Sequence, residues 1–203
     1  MLIYLIRHGE TDYNLTHRFQ GMWVESQLTE KGRAQARAAS ALLADIPFDR
    51  LYVSAADRTR ETASLLFPGR TDAVYRDELR EVDVGSLANM YLADIKTSYP
   101  DWYKKSADDK DYSQFGGESH EEMKARAKVA MDRIIAEGGD TVAVVSHGGT
   151  IRYMLWALTG IAPGAVALLP NCSFAAVEIK GDRGMLKQYG LVPTKEASST
   201  EAV

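Results

Sequence analysis

Cysteine is nearly absent from this chain: among 203 residues there is one, Cys172. A disulfide within the chain needs two and a thiolate metal cage needs three or four, so neither holds the fold, and a reducing compartment fits. Long apolar runs are absent too, and nothing approaches the ~20 residues that cross a bilayer. Only six residues precede Arg7, with no basic flank and no small-residue cleavage pattern, so no signal peptide is expected there. Strong charge of one sign is also missing. The 24 Lys and Arg against 28 Asp and Glu leave a net charge of −4 at pH 7, which argues against a broad nucleic-acid surface, because phosphate backbones select clustered cations. A cytoplasmic protein with neither membrane nor nucleic-acid partner is the expectation, and a small basic pocket remains compatible with it.

What is present is ordinary globular composition, 45% hydrophobic and 26% charged, enough for one medium domain with a sizeable core. Residues 1–6 form an almost wholly apolar run that stops at Arg-His-Gly, the pattern of a buried strand feeding a loop. From Thr29, a plausible N-cap, Ala34, Ala38, Ala41 and Leu42 follow a helical face. A brief strand at 51–53 precedes a helix that Ser54 is placed to cap and that Pro68 and Gly69 stop. Further strands are expected at 73–75, 141–145, 175–179 and 186–191, the last two as a hairpin through 181–184. Ser119 and Glu122 form a capping box, with Met123, Ala127, Ala130, Met131 and Ile134 on one face of the helix it opens, and Gly138 ends it.

Strands alternating with helices predict an α/β three-layer sandwich: a mostly parallel central sheet, helices on both faces, and a helical and loop insertion over the C-terminal edge of the sheet. The expected limits are one domain over residues 1–192, with the insertion at about 87–117 and a mobile tail at 193–203. The insertion carries Pro100, several aromatics and the charge cluster Asp108, Asp109, Lys110 and Asp111.

Two predicted strands end in the same local pattern, His8-Gly9-Glu10-Thr11 and His147-Gly148-Gly149-Thr150. In open α/β sheets ligands bind outside the carboxyl ends of the strands, so neighbouring parallel strands would aim both histidines into one crevice. The glycines would let backbone approach a ligand, and the amides opening the second helix suit an anion. Arg7 and Arg58 also fall at or just beyond strand ends, and a guanidinium matches phosphate oxygens bidentately. A metal centre is the competitor for a histidine pair. Catalytic zinc needs three protein ligands, whereas these histidines have cationic neighbours that repel a dication, so no metal is expected. No G-x-S-x-G elbow supports a serine nucleophile. Cys172 reads as a small buried hydrophobe more readily than as a nucleophile, and His17 and His120 read as ordinary loop residues.

These residues carry a resemblance. Leu5-Ile6-Arg7-His8-Gly9-Glu10-Thr11 with Asn14, Arg18, Gln20-Gly21 and Leu28-Thr29-Glu30-Lys31-Gly32 resembles the opening signature of the histidine phosphatase superfamily, the phosphoglycerate mutase-like proteins. The blocks at 54–63, 79–85, 116–119, 145–152 and 171–173 resemble its later motifs in the same order, covering nearly the whole chain.

The resemblance implies a phosphoric monoester hydrolase of the histidine acid type, without cofactor or metal, acting on a small soluble phosphate ester. His8 would be the nucleophile that becomes a phosphohistidine, and Arg7, Arg58 and His147 would surround the phosphoryl group, His147 being useful there if protonated, a state a nearby phosphate dianion favours. Asn14 would add a hydrogen bond, Glu81 would be the general acid and then the base, and Gln20, Gly21 and Gly148 would complete the phosphate and substrate site. Thr11 would cap the loop. A cofactor-dependent phosphoglycerate mutase is the alternative, and a non-catalytic phosphate-ligand module a third reading. The acid loop here, Glu81-Val82-Asp83-Val84-Gly85, lacks the Arg, His and Tyr of the mutases, which favours the phosphatase. Two departures from the family pattern are Glu25-Ser26-Gln27 in the loop before Leu28, and Asn89 where a helix-entry glycine is usual.

Overall fold

The computed structural model describes residues 1–105, 110–181 and 183–191, so Asp108, Asp109 and the expected tail at 193–203 lie outside the described residues. Among these residues the strands are β1 (Leu2–Arg7), β2 (Arg50–Ser54), β3 (Val74–Arg76), β4 (Thr141–Ser146), β5 (Phe174–Lys180) and β6 (Arg183–Leu191). They form one sheet in the order β3-β2-β4-β1-β5-β6. The first four run parallel, and β5 pairs antiparallel with both β1 and β6. The expected mostly parallel sheet with a closing hairpin is therefore what forms, each strand within a few residues of its predicted place.

The helices are α1 (Asp12–Leu15), α2 (Glu30–Leu43), α3 (Asp57–Leu66), α4 (Leu92–Ser98), α5 (Pro100–Tyr103), α6 (His120–Glu137) and α7 (Gly148–Thr159). Two apolar clusters explain the layering. Tyr4 and Ile6 of β1 pack with Ala36 and Leu43 of α2 and Leu66 of α3, while Ile3 and Leu5 pack with Met131 of α6 and Met154 of α7. Successive strand side chains point to opposite faces, and both faces are covered, which is why β1 reads as a continuous apolar run rather than an alternating one. Among the described residues no helix is long and apolar enough to cross a membrane.

The caps behave as their chemistry dictates, with one exception. Thr29 caps α2 by accepting from the Gly32 amide, and Ser119 and Glu122 close their box on α6. Ser54 does not cap α3. The helix begins at Asp57 after Ala56, without a side-chain cap, because the Ser54 hydroxyl lies 2.7 Å from His147 Nε2. The segment 79–89 is irregular, with single 3₁₀ turns at Asp77–Leu79 and Gly85–Leu87, and leads into the helix that starts at Leu92. Asn89 keeps the left-handed backbone that the family glycine would supply, at φ 69°, a conformation Asn adopts more readily than other residues with a Cβ.

Candidate active site

Register brings the two histidine motifs together. In the β1–β4 pair Ile6 stands opposite Val145 and Arg7 opposite Ser146, so His8 and His147 leave adjacent parallel strands at the same level. Their ring centroids are 5.3 Å apart. Arg58 arrives from the start of α3, just beyond the end of β2, and is almost wholly buried at 1% exposure. A cavity of about 580 Å³ opens over these strand ends, a volume typical of small-molecule sites. Arg7, His8, Asn14, Gln20, Gly21, Arg58, Glu81 and Gly148 all line it. His147 is not on this wall. It is fully buried behind Arg58, the one predicted site residue set back from the cavity.

The hydrogen bonds assign the histidine tautomers. His8 Nδ1 lies 2.8 Å from the Gly9 carbonyl, which only accepts, so Nδ1 carries the proton and Nε2 keeps its lone pair. Among the described residues Nε2 has no hydrogen-bond partner. Burial, then Arg58, then Arg7 hold the His8 imidazole well below the ordinary histidine range, so it stands neutral with a free basic nitrogen. His147 is held low in the same direction, by burial first and then by Arg58 and His8. Its Nδ1 accepts from Arg58 Nε at 3.2 Å, which leaves Nε2–H to donate to Ser54 Oγ. With its Nδ1 lone pair taken by the arginine, His147 is neutral in this arrangement, since an imidazolium has no lone pair to accept; the protonated form is the one a neighbouring phosphate dianion would favour.

Among the described residues, Arg7 and Arg58 have no carboxylate partner. Arg58 Nη1 and Nη2 donate to the carbonyls of Val24 and Gly21 at 2.8 and 3.2 Å, and Arg7 Nη1 donates to the Leu169 carbonyl. Arg7 Nε is buried without a partner. A buried and a partly buried guanidinium held by carbonyls are arranged so that they can take up an anion. Asn14 Oδ1 is committed to Thr11, whose amide and hydroxyl donate at 3.2 and 3.1 Å, so its amide nitrogen is the end available to a ligand. Thr11 caps α1 in this same box, as expected.

Glu81 occupies the helix terminus that the sequence offered to a ligand. Its carboxylate accepts from the amides of Gly149 and Thr150 at 3.2 and 3.0 Å and from the Thr150 hydroxyl at 3.1 Å. Those α7 amides serve an internal carboxylate, which fixes Glu81 on the cavity wall that His8 also lines. The acid loop is pinned from behind by Arg126 of α6, which donates to the carbonyls of Glu78 and Arg80 and pairs with Glu118.

The two glycines differ in role. A Cβ on Gly148 would meet Arg7 Nε at 3.2 Å and the Leu168 side chain at 2.5 Å, so that glycine does keep the pocket floor open. A Cβ on Gly9 would meet the Gly32 carbonyl oxygen at 2.8 Å; Gly9 serves packing against α2, not ligand approach. Cys172 is buried with its thiol pushed up to about 12 by burial, so it stays a thiol and packs as a hydrophobe. Of the lysines in the insertion only Lys110 reaches the cavity, while Lys96, Lys104 and Lys105 are exposed. Sequence reasoning gave no role to Arg18 or Arg152, which also line the wall; a helical wheel from Gly148 and Gly149 puts Arg152 on the same face of α7.

The sheet, the two strand-end histidines and the neighbouring arginines define an α/β fold with a candidate anion site over its strand ends. The chain belongs to the histidine phosphatase superfamily (branch 1), whose model matches residues 3–191. It is similar to a probable phosphoglycerate mutase of Erwinia tasmaniensis, 31% identical over 181 residues that make up 87% of this chain and 84% of the relative. It is also similar to phosphoserine phosphatase 1 of Hydrogenobacter thermophilus, 29% identical over 160 residues, 77% of this chain and 75% of that one. Among solved structures, a mycobacterial glucosyl-3-phosphoglycerate phosphatase determined with VO3 superposes with a TM-score of 0.84 at 27% identity, covering 93% of this chain and 98% of that chain.

Proposed function

We propose that this chain is a metal-independent phosphomonoesterase that hydrolyses a small soluble phosphate ester through a phosphohistidine on His8. The observation that carries the reading is the free Nε2 of a neutral, buried His8 that lines a cavity whose nearest cations, Arg7 and Arg58, have no carboxylate partner among the described residues. Nε2 attacks phosphorus as the ester P–O bond breaks, and protonated Glu81 gives its proton to the leaving oxygen. Water then attacks the phosphohistidine, Glu81 takes its proton, the P–N bond breaks, and inorganic phosphate leaves with His8 restored. Arg7, Arg58 and the Asn14 amide hold the equatorial oxygens, where positioning and electrostatics supply most of the catalysis. His147 acts by fixing Arg58. A dication among these arginines would be repelled, which supports metal independence.

Rapid quenching with ³²P-labelled ester is expected to trap an acid-labile phosphoenzyme that His8→Ala abolishes together with turnover. Turnover that survives His8→Ala, or that EDTA abolishes, would sink the mechanism. The relatives named as phosphoglycerate mutases favour a second reading, in which the phosphohistidine is returned to a sugar acid rather than to water. Against it, Val82 and Val84 present apolar surface to the cavity and Asp83 is turned to Trp23 Nε1 and the Gly85 amide. Interconversion of 2- and 3-phosphoglycerate faster than phosphate release would establish the mutase reading.

A further inference from the structure

The loop that joins α1 to α2 is gripped from both sides at residues 21–25. On its inner side the carbonyls of Gly21 and Val24 accept from Arg58 Nη2 and Nη1 at 3.2 and 2.8 Å, so the loop backbone is what orients that guanidinium. The two ends of the loop are tied together by the buried Ser26, whose Oγ donates to Gln20 Oε1 at 2.7 Å. Met22 and Val24 are buried, whereas Trp23 stands between them at 68% exposure. Burial does not account for an indole in that position. Its polar contacts do.

Trp23 Nε1 donates to Asp83 Oδ2 at 2.9 Å, and the Arg80 guanidinium lies 5.5 Å from the Trp23 ring centroid. Arg80 also pairs with Glu25 at 3.6 Å and reaches the Met22 carbonyl at 3.5 Å. The acid loop is a firm anchor for these contacts. Thr150 Oγ1 and Arg126 Nη1 donate to the Arg80 carbonyl at 2.7 and 2.9 Å, and the Asp83 amide donates to Glu118 at 2.8 Å. The two loops also touch directly, since a Cβ on Gly21 would stand 2.6 Å from Val84 Cγ2. Arg58 inside the first loop and Glu81 beside Arg80 are thus referenced to each other through Trp23 and Arg80, neither of which lines the cavity. Exposed contacts of this kind add little to stability, whereas a displacement of about 1 Å at a catalytic group costs up to about a hundredfold in rate. Their effect belongs in the geometry of the site.

We propose that Trp23 and Arg80 are positioning residues, which brace the 21–25 loop against the acid loop so that its carbonyls hold Arg58 in register with Glu81. The proposal rests on the phosphomonoesterase reading for the reaction it serves, but the brace acts on any oxyanion that Arg58 holds.

The test measures p-nitrophenyl phosphate turnover and calorimetric binding of orthovanadate in the full chain and in Trp23→Leu, Trp23→Phe, Arg58→Gln and the double variant Trp23→Leu/Arg58→Gln. Trp23 is uncharged and exposed, so Trp23→Leu leaves the charge around Arg58 and the core as they are, and its urea midpoint should match wild type. Its kcat/KM is expected to fall about tenfold, and Trp23→Phe, which keeps a ring against Arg80, should recover part of the loss. In the Arg58→Gln background Trp23→Leu should cost nothing further, because the group it positions is gone. A general structural defect would instead multiply with Arg58→Gln. Full activity in Trp23→Leu, or losses that multiply in the double variant, would overturn the brace. Arg80→Gln removes the other half of the brace and is read in the same way if Trp23→Leu fails to fold. Absence of turnover in wild type removes the phosphatase reading, and vanadate then decides on the brace. Affinity about tenfold weaker in Trp23→Leu, and no weaker in the double variant than in Arg58→Gln, keeps it. Equal affinity in wild type and Trp23→Leu removes it, as does vanadate that fails to bind wild type.

Discussion

His8 illustrates how a single side chain acquires a chemical state from its neighbours. The Gly9 carbonyl fixes the tautomer, and burial with two arginines fixes the charge. The same burial makes stability depend on pH in a defined direction. Both His8 and His147 have folded pKa values well below the ordinary histidine value of 6.5, so above about pH 6.5 neither state carries the proton and nothing is lost. As the pH falls through that value the unfolded chain binds two protons that the folded chain refuses. Stability then drops by up to about 1.4 kcal/mol per pH unit for each histidine. Urea midpoints at pH 7.5 and 5.5 should show this fall, and His8→Gln should make it shallower. A midpoint unchanged between these pH values would contradict the neutral assignment. The carboxylates with lowered values, such as Glu10 and Glu137, act in the same sense but only as the pH drops below about 4.5, so the two windows separate.

At the scale of elements, most of the pattern could be read along the chain because local rules and tertiary demands agree. Thr29, Ser119, Glu122 and Gly138 do what their types prefer, and the five apolar residues chosen for the face of α6 are all buried. Ser54 shows where local rules fail: its hydroxyl has two possible uses, and a histidine 93 positions away takes it. The limits of the short helices α4 and α5 within the insertion were illegible for a related reason. Seven and four residues are too few to be stable alone, and they persist because Ile95 and Trp102 are buried in the core. The start of α2 meets the loop after β1 through two glycines, and a Cβ on Gly32 would stand 2.1 Å from the Glu10 carbonyl oxygen. Backbone cannot yield as a flexible side chain can. Gly32→Ala is therefore expected to destabilise the fold by about 1–3 kcal/mol and, by displacing the segment next to His8, to lower kcat as well; equal urea midpoints would show that the contact relaxes freely.

For the whole molecule, the net charge of −4 conceals the gathering of Arg7 and Arg58 at one cavity. An anion that binds only the folded chain stabilises it by mass action, about 2.7 kcal/mol at a hundred times its Kd. Orthovanadate should raise Tm in proportion to the logarithm of its concentration, and Arg58→Gln should remove most of the shift. An equal shift from sulfate at the surface-charge level, unaffected by Arg58→Gln, would place the effect outside the cavity.

The candidate set itself was legible from the chain because histidine and arginine at strand ends are chemically conspicuous, and because six motifs in order resemble one family. What the sequence by itself determined is the alternation of strands and helices, the strand-end position of His8 and His147, and the family. Those properties reside in neighbouring residues, where periodicity, capping and turn chemistry act. Only the tertiary structure decided that His147 stands behind Arg58 rather than on the wall, that Glu81 takes the α7 amides, and that Arg18, Lys110 and Arg152 meet in one cavity. Each of these depends on which groups far apart in the chain share a desolvated space, and there the energies of buried charge and unpaired donors outweigh local preference.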